Sequence, residues 1–132
     1  MASILKLNKI HHIAIICSDY AVSKKFYTEI LELEPIKETY RAARQSYKLD
    51  LKINGFYQLE LFSFPVPPAR PSMPEACGLR HLAFEVDDLT SAVALLNQRG
   101  IVTEPVRTDE LTGKRFTFFA DPDGLPLELY ET

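Results

Sequence analysis

No apolar run in this 132-residue chain is longer than the five residues Ile13–Cys17, whereas a membrane-spanning helix needs about 20. The opening MASILKLNKIHH scatters lysines through its apolar residues and offers no cleavage site, so it does not read as a secretory signal. Cysteine is scarce. Cys17 and Cys77 are the only two, with no C-x-x-C pair and no disulfide framework, and both read as reduced, structural thiols of a cytoplasmic protein. A dense basic block is also missing: fifteen basic against eighteen acidic residues leave a net charge of −3, which argues against nucleic acid as a partner. What is present is ordinary for a globular protein. Hydrophobic residues at 46% and charged residues at 25% exclude disorder, collagen-like repeats and coiled coil. The length suits one domain able to form a core without disulfide staples.

The chain repeats itself. Lys9-Ile10-His11-His12-Ile13-Ala14-Ile15 matches Gly78-Leu79-Arg80-His81-Leu82-Ala83-Phe84 when His12 is laid on His81. Each apolar run reads as a strand followed by a helix start, Ser18-Asp19 in the first half and Asp87-Asp88 in the second. Val22, Phe26, Ile30 and Leu33 predict one amphipathic helix. Leu89, Ala92, Val93 and Leu96 predict another, stopped by Gly100. Ser46–Ile53 alternates as a strand, Asn54-Gly55 marks a hairpin, and 57–64 forms the return strand. In the second half, 115–119 and 125–130 flank the turn Asp121-Pro122-Asp123-Gly124. Five of nine prolines (65, 67, 68, 71 and 74) fall in 65–78, a stiff connector between a first module at about 8–64 and a second at about 79–131. The expectation is a single domain of two paired modules, since either alone would be marginal.

A second correspondence gives the repeat its chemistry. Gln58-Leu59-Glu60-Leu61-Phe62 matches Pro126-Leu127-Glu128-Leu129-Tyr130; His12 precedes Glu60 by 48 positions and His81 precedes Glu128 by 47. Strand alternation sets His12 and Ala14 on one face, and sets each glutamate opposite its flanking leucines. Four polar residues are thereby turned to the face that helices do not cover. An inward carboxylate is costly unless something pairs with it, and two imidazoles with a divalent cation would do so. Two neutral imidazoles and two carboxylates suit zinc, nickel, cobalt or manganese rather than calcium. A water or substrate oxygen completing the shell would make the site catalytic in form. His11 faces the other way by alternation, and its counterpart is Arg80, so it reads as a non-ligand.

In these residues, and in the closing Asp121-Pro122-Asp123-Gly124-Leu125-Pro126-Leu127-Glu128-Leu129, the chain resembles the vicinal oxygen chelate superfamily, glyoxalase I-like branch. The resemblance implies an α+β fold of two paired βαβββ modules forming a curved mixed sheet around one metal site. It implies His12, Glu60, His81 and Glu128 as metal ligands, with zinc or nickel favoured over cobalt or manganese. It further implies a lyase or isomerase acting on a small oxygenated substrate such as a 2-oxoaldehyde adduct. The metal would stabilise enediolate-like charge, and Glu60 or Glu128 would serve as general base. The run Glu60-Leu61-Phe62-Ser63-Phe64-Pro65 lacks the Asn typical of glutathione-using bacterial members, so glutathione is not carried over. Other reactions on the scaffold, Fe(II) dioxygenation or thiol transfer, need only three protein ligands. A non-enzymatic resistance or binding protein would not need all four. Arg41, Arg44 and Arg115 are candidates for an anionic substrate group, although no substrate-binding residue is assigned, and the assembly expected is a homodimer.

Overall fold

The computed structural model describes residues 4–132, in two compact units that divide at Pro67 and Pro68. Each unit carries its own four-stranded mixed sheet. The first contains β1 (Ile13–Cys17), α1 (Tyr20–Lys25), β2 (Glu34–Arg41), β3 (Ser46–Ile53) and β4 (Phe56–Ser63), in sheet order β1-β4-β3-β2. The second repeats the plan with β5 (Leu82–Val86), α2 (Leu89–Gln98), β6 (Arg107–Thr108), β7 (Arg115–Ala120) and β8 (Pro126–Glu131), in order β5-β8-β7-β6. This is the expected βαβββ pattern twice over. In both units the first strand runs parallel to the last, and the other pairings are antiparallel. Among the described residues, no helix is long and apolar enough to cross a membrane.

Local chemistry explains the element ends. Asp19 accepts a hydrogen bond from the Val22 amide, and Asp88 accepts from both the amide and the hydroxyl of Ser91, so each aspartate caps its helix. Past α2, Gly100 takes φ +82°, while its amide bonds to Asn97 and that of Ile101 to Leu96, which closes the helix with a left-handed cap. Asn54 and Gly55 both have positive φ, the geometry of the two-residue turn their sequence announces. In the 121–124 turn, the Asp121 carboxylate accepts from the amides of Asp123 and Leu125, each at 2.9 Å.

Leu49, Leu51, Leu59 and Leu61 are almost wholly buried with Ile15, Cys17, Phe26 and Tyr27; in the second unit Leu127, Leu129, Leu89, Leu96 and Phe119 form the corresponding core. The first helix departs from expectation. Regular α geometry stops at Lys25 and the chain continues as a wider π turn over Phe26–Ile30, the Leu31 amide reaching back to the Phe26 carbonyl. The buried stripe there is Ser23, Phe26 and Tyr27, and Val22 is exposed. Tyr27 carries more apolar area than Val22, and burying it sets the helix's rotation. Strands β2 and β6 have no clear signal in the sequence. β2 is a charged edge strand with Pro35 beside a bulge, and β6 is only two residues long.

Because the Asp121 carboxylate satisfies two backbone amides at the entrance to β8, Asp121→Ala should destabilise the protein by about 1–3 kcal/mol. A urea melt would show a lower midpoint with an unchanged m-value.

Candidate metal centre

His12 and His81 each stand one residue ahead of the first strand of their unit, and Glu60 and Glu128 each lie in the last. Parallel pairing sets Ala14 across from Glu60 and Ala83 across from Glu128. The histidine two positions before each alanine therefore meets the glutamate's side chain. His12 Nε2 lies 3.5 Å from Glu60 Oε2, and His81 Nε2 lies 3.4 Å from Glu128 Oε1. The flanking leucines of both glutamates are buried on the other face, as alternation requires. Thus the structure brings together two His–Glu pairs, one per unit. Among the described residues, no group of three or more His, Cys, Asp or Glu side chains is arranged to hold a metal ion.

The donor chemistry of each pair fits half of a divalent-metal shell. Both separations exceed the usual 2.7–3.2 Å of a hydrogen bond. They match two ligand atoms each about 2.1 Å from a tetrahedral ion, which would sit about 3.4 Å apart. His81 Nδ1 is buried with no hydrogen-bond partner among the described residues; such an orphaned atom is more at home in a functional histidine than in a structural one.

The first unit surrounds its pair with polar groups. The Tyr57 hydroxyl donates to Glu60 Oε2, and Lys48 Nζ lies 3.6 Å from the same oxygen and 2.8 Å from Asp50 Oδ1. Asp50 pairs with Glu60 across the strands, and both are buried, with only 8% and 5% of their surface exposed. The lysine lets two neighbouring carboxylates share a dry face. Its hydrogen bond to Asp50 is the main influence holding the Lys48 ammonium above its ordinary pKa. Burial first, and then the bond to Glu60, push the Tyr57 phenol up to about 12. Sequence reasoning missed Lys48 and Asp50 because an alternating strand with charges on one face ordinarily shows that face to water.

His11 does not point away as strand alternation suggested. His11 lies two residues before β1, and the strand period, which still places His12 beside Glu60, does not carry back that far. His11 Nδ1 lies 2.8 Å from His12 Nδ1, and its ring packs edge-on against those of His12 and Tyr57. When His12 donates from Nδ1 to His11, its Nε2 keeps the lone pair that a metal needs.

The second unit surrounds its pair with aromatic rings. Phe118 occupies the register position of Asp50, opposite Glu128, and Phe116 that of Lys48. His81 meets Phe118 edge to face at 5.1 Å between ring centres. The three arginines singled out from sequence are engaged elsewhere. Arg115 pairs with Glu131, Arg41 donates to Ser46 and lies over Phe62, and Arg44 lies over Phe64. Sequence reasoning passed over Arg107, which stacks on Phe116 and Phe118 in the second unit.

The family model described as Glyoxalase/Bleomycin resistance protein/Dioxygenase superfamily matches residues 9–129. The chain belongs to that superfamily. It is 66% identical over 125 residues to YwkD of Bacillus subtilis (strain 168), covering 95% of this chain and 98% of the relative. The crystal structure of a glyoxalase family protein from Enterococcus faecalis matches at 53% identity and TM-score 0.87, covering 94% of this chain and 98% of that one. Two more distant proteins are similar to this chain. One is the 2-epi-5-epi-valiolone epimerase of Actinomyces sp, 28% identical over 91% of this chain and 77% of its own length. The other is the fosfomycin resistance protein FosX of Listeria monocytogenes, whose crystal structure was solved in complex with Mn(II) and a sulfate ion. FosX shares the fold at 18% identity and TM-score 0.72, covering 96% of this chain and 94% of that one. The same fold thus serves a protein solved with a divalent metal.

His11→Ala removes a partner of His12 without removing a ligand. Metal affinity should fall by about tenfold or more while stoichiometry at saturating metal is kept, as a chelator competition titration would show.

Proposed function

We propose that this protein is a divalent-metal-dependent lyase or isomerase of glyoxalase type, acting in the cytoplasm on a small oxygenated substrate such as a 2-oxoaldehyde adduct. The observation that carries this reading is the duplicated His–Glu pair, held in both units with the same pairing and nearly the same separation. On this reading His12, Glu60, His81 and Glu128 are the four protein ligands of one ion, zinc or nickel by preference and cobalt or manganese as substitutes. Two ligands come from each unit, so the reading requires both pairs to meet on one ion, within a chain or between the chains of a homodimer. When bound, the ion polarises a substrate oxygen and stabilises the negative charge that develops as a proton leaves the neighbouring carbon.

The protein's own carboxylates move that proton, and their surroundings divide the work. Glu60 Oε2 already receives the Tyr57 hydroxyl and faces both Lys48 and His12, which hold it as a fixed ligand. Glu128 faces His81 and takes no hydrogen bond from another side chain among the described residues. It is the carboxylate able to turn and accept a proton from carbon. Phe118 lies opposite Glu128 in the sheet, with Phe116 edge-on to it. General-base catalysis of this kind is worth about 10²–10⁴ in rate.

Elemental analysis of untagged protein should find about one divalent transition metal per set of four ligands, lost in His81→Ala. Absence of metal after reconstitution with zinc, nickel, cobalt and manganese would overturn the reading. With a panel of oxoaldehydes and thiols, Glu128→Gln should retain metal while turnover falls about 10²–10⁴-fold. Glu60→Gln should chiefly weaken metal retention.

A further inference from the structure

The geometry points to an anion-binding subsite in the second unit, beside His81, in which Arg80 and Arg107 hold a carboxylate or phosphate group of a small substrate. A cavity of about 400 Å³ opens there, with Arg80, His81, Arg107 and Phe118 among its lining residues. That volume falls within the usual range for sites of small organic ligands, about 300–1,000 Å³.

The charges of the cavity favour an anion. Three guanidiniums (Arg70, Arg80 and Arg107) line it against two carboxylates, Glu75 and Glu104. Arg70 is spent on structure: it donates to the carbonyls of Leu79 and Arg80 and to the Ser72 hydroxyl, fixing the segment that leads into His81. Arg80 has no side-chain partner among the described residues. Arg107 gives one bond to Glu104 at 3.1 Å, an exposed pair of small worth. Its guanidinium lies over Phe116 and Phe118, with centroid distances of 5.1 and 5.9 Å. Stacking holds the planar fork in place and leaves most of its N–H groups available for paired bonds to an oxyanion.

The internal repeat strengthens the assignment. Arg80 stands where the first unit has His11, and Phe118 stands where it has the buried acid Asp50. Arg80 is thus a gained positive charge, while Phe116 and Phe118 replace the Lys48–Asp50 pair and remove one charge of each sign. His81 and the Arg107 guanidinium both lie within 6 Å of the centre of the Phe118 ring. One small molecule can therefore present an oxygen at His81 and an anionic group at Arg107. The substrate class indicated is a small 2-oxo or 2-hydroxy compound with a carboxylate or phosphate a few bonds from the reacting carbon. The reacting end of that description rests on the metal-dependent reading above; the anion subsite stands on the cavity and its arginines.

The test uses full-length protein in two forms, chelator-treated and zinc-loaded, with metal content measured on each sample. Lactate, its uncharged amide lactamide, and inorganic phosphate are titrated by calorimetry into wild type, Arg80→Gln, Arg107→Gln and Arg115→Gln. Anion binding should persist in the chelator-treated protein, where no metal can capture the probe. Each cavity variant should weaken it at least tenfold. Arg115→Gln, whose parent residue is paired with Glu131, should bind as wild type does. Preference for lactate over lactamide assigns the site to a carboxylate, and preference for phosphate over lactate assigns it to a phosphoryl group. The subsite is overturned if neither anion binds, if lactamide binds as tightly as the preferred anion, or if the cavity variants match wild type. Arginine-dependent anion binding by a protein that takes up no metal would instead sink the metal-dependent reading and leave the subsite standing.

Discussion

Parallel pairing of the first strand of each unit with its last places a histidine beside a glutamate twice in this protein, and the chemistry of the candidate site depends on it. The two residues of each pair are nearly fifty positions apart in the chain. A one-residue slip in the pairing would turn each glutamate to the face occupied by the leucines. The slip is resisted by the burial of Leu59 and Leu61 in the first unit and of Leu127 and Leu129 in the second. Core packing and the placement of the His–Glu pairs are thus one constraint on the two faces of the same strand.

Much of this was legible in the sequence because both faces leave a signal. Leu-Glu-Leu reads as a strand with one inconsistent residue, and its recurrence at matched distance from a histidine turns the inconsistency into a site. The caps at Asp19 and Asp88, the Asn54-Gly55 hairpin and the Asp121 turn were legible for another reason: each depends on side chains within a few residues of one another. What escaped depends on tertiary context. The edge strand β2 is charged and carries Pro35, so neither its pattern nor its propensity announces it. Lys48 and Asp50 look like a solvated strand face until Glu60 is placed across from Asp50. His11 was assigned by a strand period that begins two residues after it.

Equivalent backbones in the two units carry unequal surroundings. Around Glu60 a hydroxyl, an ammonium and a second carboxylate form a polar cluster, and removing Lys48 would leave two buried carboxylates side by side without the ammonium between them. Around Glu128 there are rings and, among the described residues, no such cluster. A reaction that needs one anchored ligand and one mobile base can be built from a repeated unit only when its two copies have diverged in this way.

Divergence at Asp50/Phe118 and His11/Arg80 also bears on how such a chain arises from a shorter ancestor. A tandem array of the first unit alone would keep every ligand type, two histidines and two glutamates. It would ring both carboxylates with acid and lysine, and it would have no phenylalanine at the position opposite either glutamate. An array of the second unit alone would keep the same ligands and have that phenylalanine twice, with no anchored carboxylate. The two halves of the present chain are chemically unequal where a duplicated unit would have been alike, an acid and a lysine in the first standing at the positions of two rings in the second.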